Sequence, residues 1–296
     1  MQDAPYSRSE AGHDTRGDPP RSGVSTLVSA AAGTGVQRIA EAFAATGERA
    51  ALMPYLMGGF PTLGDSVRIG EACARAGADL LELGVPYADP LADGPVIQAA
   101  GTRALAAGAN MAGVLEVARA LAPSVPVVLM CYANMVFAPG AEAFIERLAR
   151  TGASGLIVPD LPLEEATDVR EACDARGLAL VPLVAPTTPA ERLASIGARA
   201  RGFLYTVSVV GITGEREALQ TRFAEVVARA RASTQVPVAL GFGISTPEQA
   251  RQAADAGADG VIVGSRLVRA AGEGEDPAGA VGALVGELFA GLARSR

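Results

Sequence analysis

The chain contains no lysine: all 25 of its basic residues are arginine. A lysine Schiff base is therefore excluded as a catalytic device. It contains one histidine, His13, close to the start. The body of the chain has no imidazole to act as acid, base or zinc ligand. Its three cysteines, Cys73, Cys131 and Cys173, stand in apolar or helical contexts without metal-ligand spacing, which is the pattern of buried, reduced thiols. No apolar run is long enough to span a membrane. Met1-Gln2-Asp3 lacks the basic start of a secretory signal, so the expected location is the cytoplasm. A net charge of -7 argues against a nucleic-acid partner. An enzyme built on this chain must work with carboxylates, hydroxyls, backbone amides and arginine.

What is present is a repeated unit. Residues 1–34 are rich in Ser, Gly, Ala, Asp and Pro without a sustained period, and are expected to be a disordered extension. An N-terminal helix is expected from about Val36 to about Ala45. From there helical stretches end in glycine and run into short apolar strands. The junctions are Gly77-Ala78-Asp79, Gly152-Ala153-Ser154, Gly177-Leu178-Ala179, Gly197-Ala198-Arg199 and Gly257-Ala258-Asp259. Glycine just past a helix, followed by a β-rich run, is αβ-loop chemistry. Eight strands are predicted, at about 51–57, 79–84, 126–132, 155–159, 178–183, 202–207, 237–241 and 260–263, with helices between them and a last helix from Pro277 to about Ala293. Helices between successive strands make the strands parallel. The fold class is α/β, and residues 35–296 are read as a single (β/α)8 TIM barrel. A doubly wound open sheet is the alternative.

The densest chemistry lies in residues 81–95. Leu81, Leu83 and Val85 alternate with Leu80, Glu82 and Gly84. The aliphatic face suits the helices, so Glu82 points into the barrel, near the end where such enzymes place their catalysts. Burial there raises a carboxyl pKa and suits it to proton transfer near neutral pH. A structural ion pair with arginine is the competing explanation. Asp89 and Asp93 follow in a Pro/Gly-rich loop, where Asp93-Gly94-Pro95 also reads as a turn or helix N-cap. Tyr205 shares a strand face with Phe203 and Val207, and core packing explains it as readily as a place in the mouth. Gly211 to Gly214, Gly241 to Ser245 and Gly264-Ser265 follow the last three strands. Barrels hold phosphate at the turns after their last two strands, through backbone N–H groups.

Taken together, these residues resemble the tryptophan synthase α subunit family. The motifs are Pro54-Tyr55 with Gly59-Phe60-Pro61, the 81–95 stretch, Met130 to Asn134, Pro159 to Pro162, Tyr205 to Gly214, Gly241 to Ser245 and Gly264-Ser265. The likeness runs from about Val36 to the end. It implies a lyase of tryptophan biosynthesis that cleaves indole-3-glycerol phosphate to indole and glyceraldehyde 3-phosphate. By resemblance, Glu82 is the proton donor and acceptor, Asp93 accepts the indole N–H, and Tyr205 sits beside the glutamate. Tyr55, Met130, Tyr132 and Phe242 line the pocket. Gly214, Gly243, Gly264 and Ser265 hold the phosphate, and Thr213 contacts Asp93 on closure. Asp89 faces a β subunit in an α2β2 heterotetramer. No cofactor or metal is implied for this chain, and pyridoxal phosphate belongs to the β subunit. Such a retro-aldol cleavage needs no Schiff base, which agrees with a chain that has no lysine. Val209-Val210 and Met57 depart from common family residues (an arginine with a small residue, and a threonine). A free-standing lyase, a catalytically silent partner and another phosphate-binding barrel are the alternatives.

Overall fold

The computed structural model describes residues 33–207, 216–241 and 243–292. The expected extension, apart from Gly33 and Thr34, lies outside the described residues. Thr34 is the cap of the first helix, α1 (Gly35–Ala45). Its hydroxyl accepts from Gln37 N at 3.2 Å, and Gln37 Oε1 accepts from Thr34 N at 2.7 Å. This reciprocal pair satisfies two donors that a helix start otherwise leaves open.

Then come β1 (Ala51–Met57), α2 (Leu63–Arg75), β2 (Leu81–Gly84), α3 (Pro95–Ala106), α4 (Met111–Leu121) and β3 (Val127–Met130). They are followed by α5 (Ala133–Phe137), α6 (Ala141–Ala149), β4 (Gly155–Ile157), α7 (Thr167–Ala175), β5 (Ala179–Leu180) and β6 (Leu183–Val184). The chain continues through α8 (Ala190–Gly197), β7 (Leu204–Val207), α9 (Arg216–Arg231), β8 (Val238–Gly241) and α10 (Pro247–Asp255). It ends with β9 (Gly260–Val263), α11 (Ser265–Ala271) and α12 (Pro277–Leu292).

The strands pair in the order β5-β4-β3-β2-β1-β9-β8-β7-β6, and all the pairings are parallel. The first and last in that order are consecutive in the chain, so the sheet curls round on itself as a TIM barrel. The expected strand at 178–183 is corrected to two short segments. Pro182 has no N–H to donate and interrupts the ladder. Val181 N still donates to Leu156 O on the β4 side at 2.9 Å, and Pro182 O accepts from Tyr205 N on the β7 side at 3.0 Å. The kinked segment thus bonds to a different neighbour on each side.

Two apolar layers follow from the strand alternation. Leu81, Leu83 and Val85 pack outward with the helices, while Leu80 packs inward with Met53, Val128, Ile157 and Phe203. Ile39 of α1 is fully buried in that inner layer, so the N-terminal helix plugs one end of the barrel. Val36 N donates to Gly177 O at 3.0 Å, which fixes the plug at the end where strands begin.

The repeated junction has a specific purpose. At Gly77 (φ 104°) and Gly257 (φ 94°) the chain takes a left-handed turn that favours glycine. Two residues on, Asp79 and Asp259 each reach the start of the neighbouring strand. Asp79 Oδ2 accepts from Leu52 N, and Asp259 Oδ2 accepts from Val238 N, both at 2.8 Å. Arg49 pairs with Asp79 through two bonds of 2.7 and 2.8 Å, and Arg231 pairs with Asp259. The Gly197 junction differs: this glycine is still helical, and a side chain there would overlap the carbonyl of Ser233.

Removing either aspartate leaves a strand N–H without its partner. Asp79→Ala and Asp259→Ala should each lower unfolding free energy by about 2–4 kcal/mol in urea. A loss below about 0.5 kcal/mol at both sites would contradict the pinning role.

Candidate functional site

Glu82 sits in the middle of β2, in register with Tyr55 of β1 and Val128 of β3. It is 1% exposed, and neither carboxyl oxygen has a hydrogen-bond partner among the described residues. The ion-pair explanation from the sequence therefore finds no support: among the described residues no arginine reaches it. Burial pushes the Glu82 carboxyl up to about 8, and the charge of Asp93 pushes in the same direction. At neutral pH it is mainly a carboxylic acid.

Two tyrosines share this end of the barrel, and glycines make room for them. A methyl group on Gly84 would overlap the Tyr55 hydroxyl, and one on Gly241 would overlap the ring and hydroxyl of Tyr205. Both phenols are buried, Tyr55 at 7% exposure and Tyr205 at 3%. Burial first, and then the charges of Glu82 and Asp93, hold both hydroxyls well above the ordinary phenol range. Both stay protonated as neutral donors. The inward face expected for Phe203 and Tyr205 is observed, since both belong to the barrel's inner cluster.

The loop after β2 is tied to the strand-3 side. Tyr132 O–H donates to Asp93 Oδ2 at 3.1 Å, and the Tyr132 hydroxyl oxygen accepts from Ala92 N at 2.9 Å. Tyr87 packs its ring on Tyr132 with centroids 5.1 Å apart. Gln98 Nε2 donates to Asp93 O at 2.9 Å. The cap of α3 is Gly94, with no side-chain cap bond. The N-cap reading of Asp93 is thus corrected: its carboxylate turns to Tyr132 instead. Burial holds the Asp93 carboxyl above its ordinary range while the Tyr132 hydroxyl works in the other direction. Being half-buried and hydrogen-bonded, it ionises before Glu82. Two carboxyls whose environments separate their pKa values can act as one acid and one anion. Asp89 is exposed in the same loop.

Met130 closes β3, half-buried between the inner and outer layers. Gly243 (φ 81°) follows β8, and Gly264 caps the short α11 with Ser265 exposed at its first position. These turns follow two neighbouring strands. Thr213, Gly214, Phe242, and the Val209-Val210 departure lie outside the described residues. One contributor was not assigned a role from sequence. Asp160 Oδ1 accepts from Ala133 N at 2.8 Å and so fixes the start of α5, next to Tyr132. Its only signal was the Pro159-Asp160 motif. Among the described residues no cluster of three His, Cys, Asp or Glu could hold a metal ion.

Comparison with known proteins agrees with this fold. A sequence profile described as "Tryptophan synthase alpha chain" matches residues 42–285. A tryptophan synthase alpha chain from Prochlorococcus marinus is 52% identical over 223 residues, covering 75% of this chain and 81% of the relative. One from Methanosarcina mazei is 49% identical over 242 residues, 82% of this chain and 89% of the relative. A crystal structure of Mycobacterium tuberculosis tryptophan synthase superposes with a TM-score of 0.80 at 39% identity, over 87% of this chain and 99% of the other. Tryptophan synthase subunit alpha from Legionella pneumophila gives 0.78 at 35% identity, over 88% and 99%.

The burial of Glu82 also sets a pH dependence of stability. Its pKa is near 4.3 in an unfolded chain and about 8 in the fold. The folded state holds the extra proton, so stability is full below about pH 4 and declines as pH rises to about 8. Glu82→Gln removes that penalty. The variant should gain on the order of several kcal/mol over the parent at pH 8, and little at pH 4. Thermal unfolding at both pH values is the check; an equal difference at both would contradict a buried, neutral Glu82.

Proposed function

The chain belongs to the tryptophan synthase alpha chain family, whose lyase reaction cleaves indole-3-glycerol phosphate, and we propose that Glu82 and Asp93 carry that reaction here. The observation that carries the assignment is the isolation of Glu82. It is a buried acid with no ion pair and no hydrogen bond among the described residues.

The protonated Glu82 delivers its proton to indole C3. The ring becomes an iminium whose positive charge lies at nitrogen, and Asp93 accepts the ring N–H and stabilises that charge. The bond between C3 and the glycerol carbon then breaks, and its electron pair returns to the ring. The carbinol O–H loses its proton to the Glu82 carboxylate as the aldehyde forms. Indole and glyceraldehyde 3-phosphate leave, and Glu82 is again an acid. The proton given equals the proton taken, so no cofactor is required in this chain. Tyr132 aims Asp93, and Tyr205 with Tyr55 borders Glu82 with neutral hydroxyls. Met130 and Phe242 complete the apolar wall. Gly214, Gly243, Gly264 and Ser265 present backbone and hydroxyl donors to the phosphate, and Thr213 meets Asp93 when the site closes.

The same reading assigns the chain a β-subunit partner in an α2β2 complex, with pyridoxal phosphate confined to that partner. The exposed Asp89 lies in the loop that would face it. The catalytic body is residues 35–296, and residues 1–34 precede it as an extension. A cytoplasmic location follows from the reading; no single helix among the described residues is long and apolar enough to cross a membrane.

Indole release from indole-3-glycerol phosphate, measured with and without a β subunit, tests the assignment. Glu82→Gln should lower kcat by about 10²- to 10⁴-fold, the range of a lost acid–base group. Asp93→Asn should lower it by roughly 10- to 10³-fold, as a lost charge-stabilising contact does. Because the cycle starts from protonated Glu82, kcat/KM should fall above about pH 8. Native turnover in Glu82→Gln would refute the mechanism, and an unchanged rate on adding β subunit would refute the complex.

A further inference from the structure

The helix layer is open over one strand. Leu156 of β4 is 0% exposed beneath the helices, but its register partner Leu180 on β5 is only half-buried, as is Pro182. A cavity of about 430 Å³ lies there, floored by Leu180 and Pro182 and walled by Leu161, Leu163 and Ile196. That volume is within the roughly 300–1,000 Å³ range of small-molecule sites. Glu82, Asp93 and Tyr205 are not among its lining residues.

Its charged lining is unevenly satisfied. Arg192 is held by Glu164 through bonds of 2.7 and 2.9 Å. Asp160 accepts from Ala133 N, and Arg199 donates to Ser195 O at 2.9 Å. Arg170 of α7 also lines the cavity. It is half-buried, and its guanidinium makes no hydrogen bond or ion pair among the described residues. A partly desolvated guanidinium without an anion is incomplete, because its fork geometry favours a carboxylate in two-point contact.

We propose that the cavity between α7 and α8 binds a small aromatic carboxylate, with its ring on Leu180 and Pro182 and its carboxylate on Arg170. The half-buried Arg170 guanidinium offers one two-point contact, which a single carboxylate fills. The floor is the interrupted strand whose Pro182 carbonyl holds Tyr205 N, so the site adjoins the barrel wall without entering the catalytic mouth.

The probe is 2-naphthoate, followed by its own fluorescence anisotropy; the chain has no tryptophan to interfere. Binding should saturate at one site per chain. Arg170→Gln, which breaks no bond within the fold, should weaken it by at least about tenfold. The neutral 2-naphthamide should bind at least about tenfold more weakly to the parent chain. Saturating glycerol 3-phosphate, directed at the mouth, and Glu82→Gln should both leave 2-naphthoate binding unchanged. Non-saturating binding, equal affinity in Arg170→Gln, or displacement by glycerol 3-phosphate would each overturn the site.

Discussion

The chemistry proposed for this barrel depends on the removal of one carboxyl group from water. Glu82 is 1% exposed and has no hydrogen-bond partner among the described residues. An isolated carboxylate in such a place is costly, so the group keeps its proton instead. With no lysine anywhere and the only histidine at position 13, this retained proton is the acid the site can supply near neutral pH. The neighbouring tyrosines stay neutral for the same reason, since burial raises their pKa values first and the carboxyls raise them further.

The fold produces this isolation through side-chain size as much as through position. Gly84 and Gly241 leave the space that the Tyr55 and Tyr205 rings fill. Those rings complete a dry surround for Glu82 without offering it a positive charge. The loop after β2 supplies the opposite environment for Asp93: half-buried, held by Tyr132 and braced by Gln98. Two acids of similar intrinsic strength thus differ in protonation because one sits in the sheet and the other in a loop. Asp79 and Asp259, by contrast, are paired with arginine and pin strand starts at the far end of the barrel. Among the described residues, the proposed catalytic carboxylates and the strand-pinning ones are separated by whether an arginine reaches them.

Much of this was legible in the sequence because it is local. The alternation of Leu81, Glu82 and Leu83 determined which face Glu82 occupies, and the glycine-ended junctions gave the βα repeat. What stayed ambiguous depended on partners distant in the chain. Asp93 stands in an Asp-Gly-Pro turn that reads as a cap, and only Tyr132, 39 residues away, draws its carboxylate aside. Asp160 secures the start of α5 across 27 residues, which no spacing rule anticipates. The kink at Pro182 was missed because residues 178–183 carry the apolar composition of a continuous strand. The proline's lost N–H matters only once both neighbouring strands are known.

The protonation of Glu82 is the claim on which the account rests. Side-chain ¹³C NMR of glutamate-labelled protein, with Glu82→Gln to assign the resonance, measures it directly. The account predicts a Glu82 carboxyl carbon that titrates near pH 8, with a neutral-acid shift at pH 6. A midpoint near 4.3, the ordinary glutamate value, would contradict it.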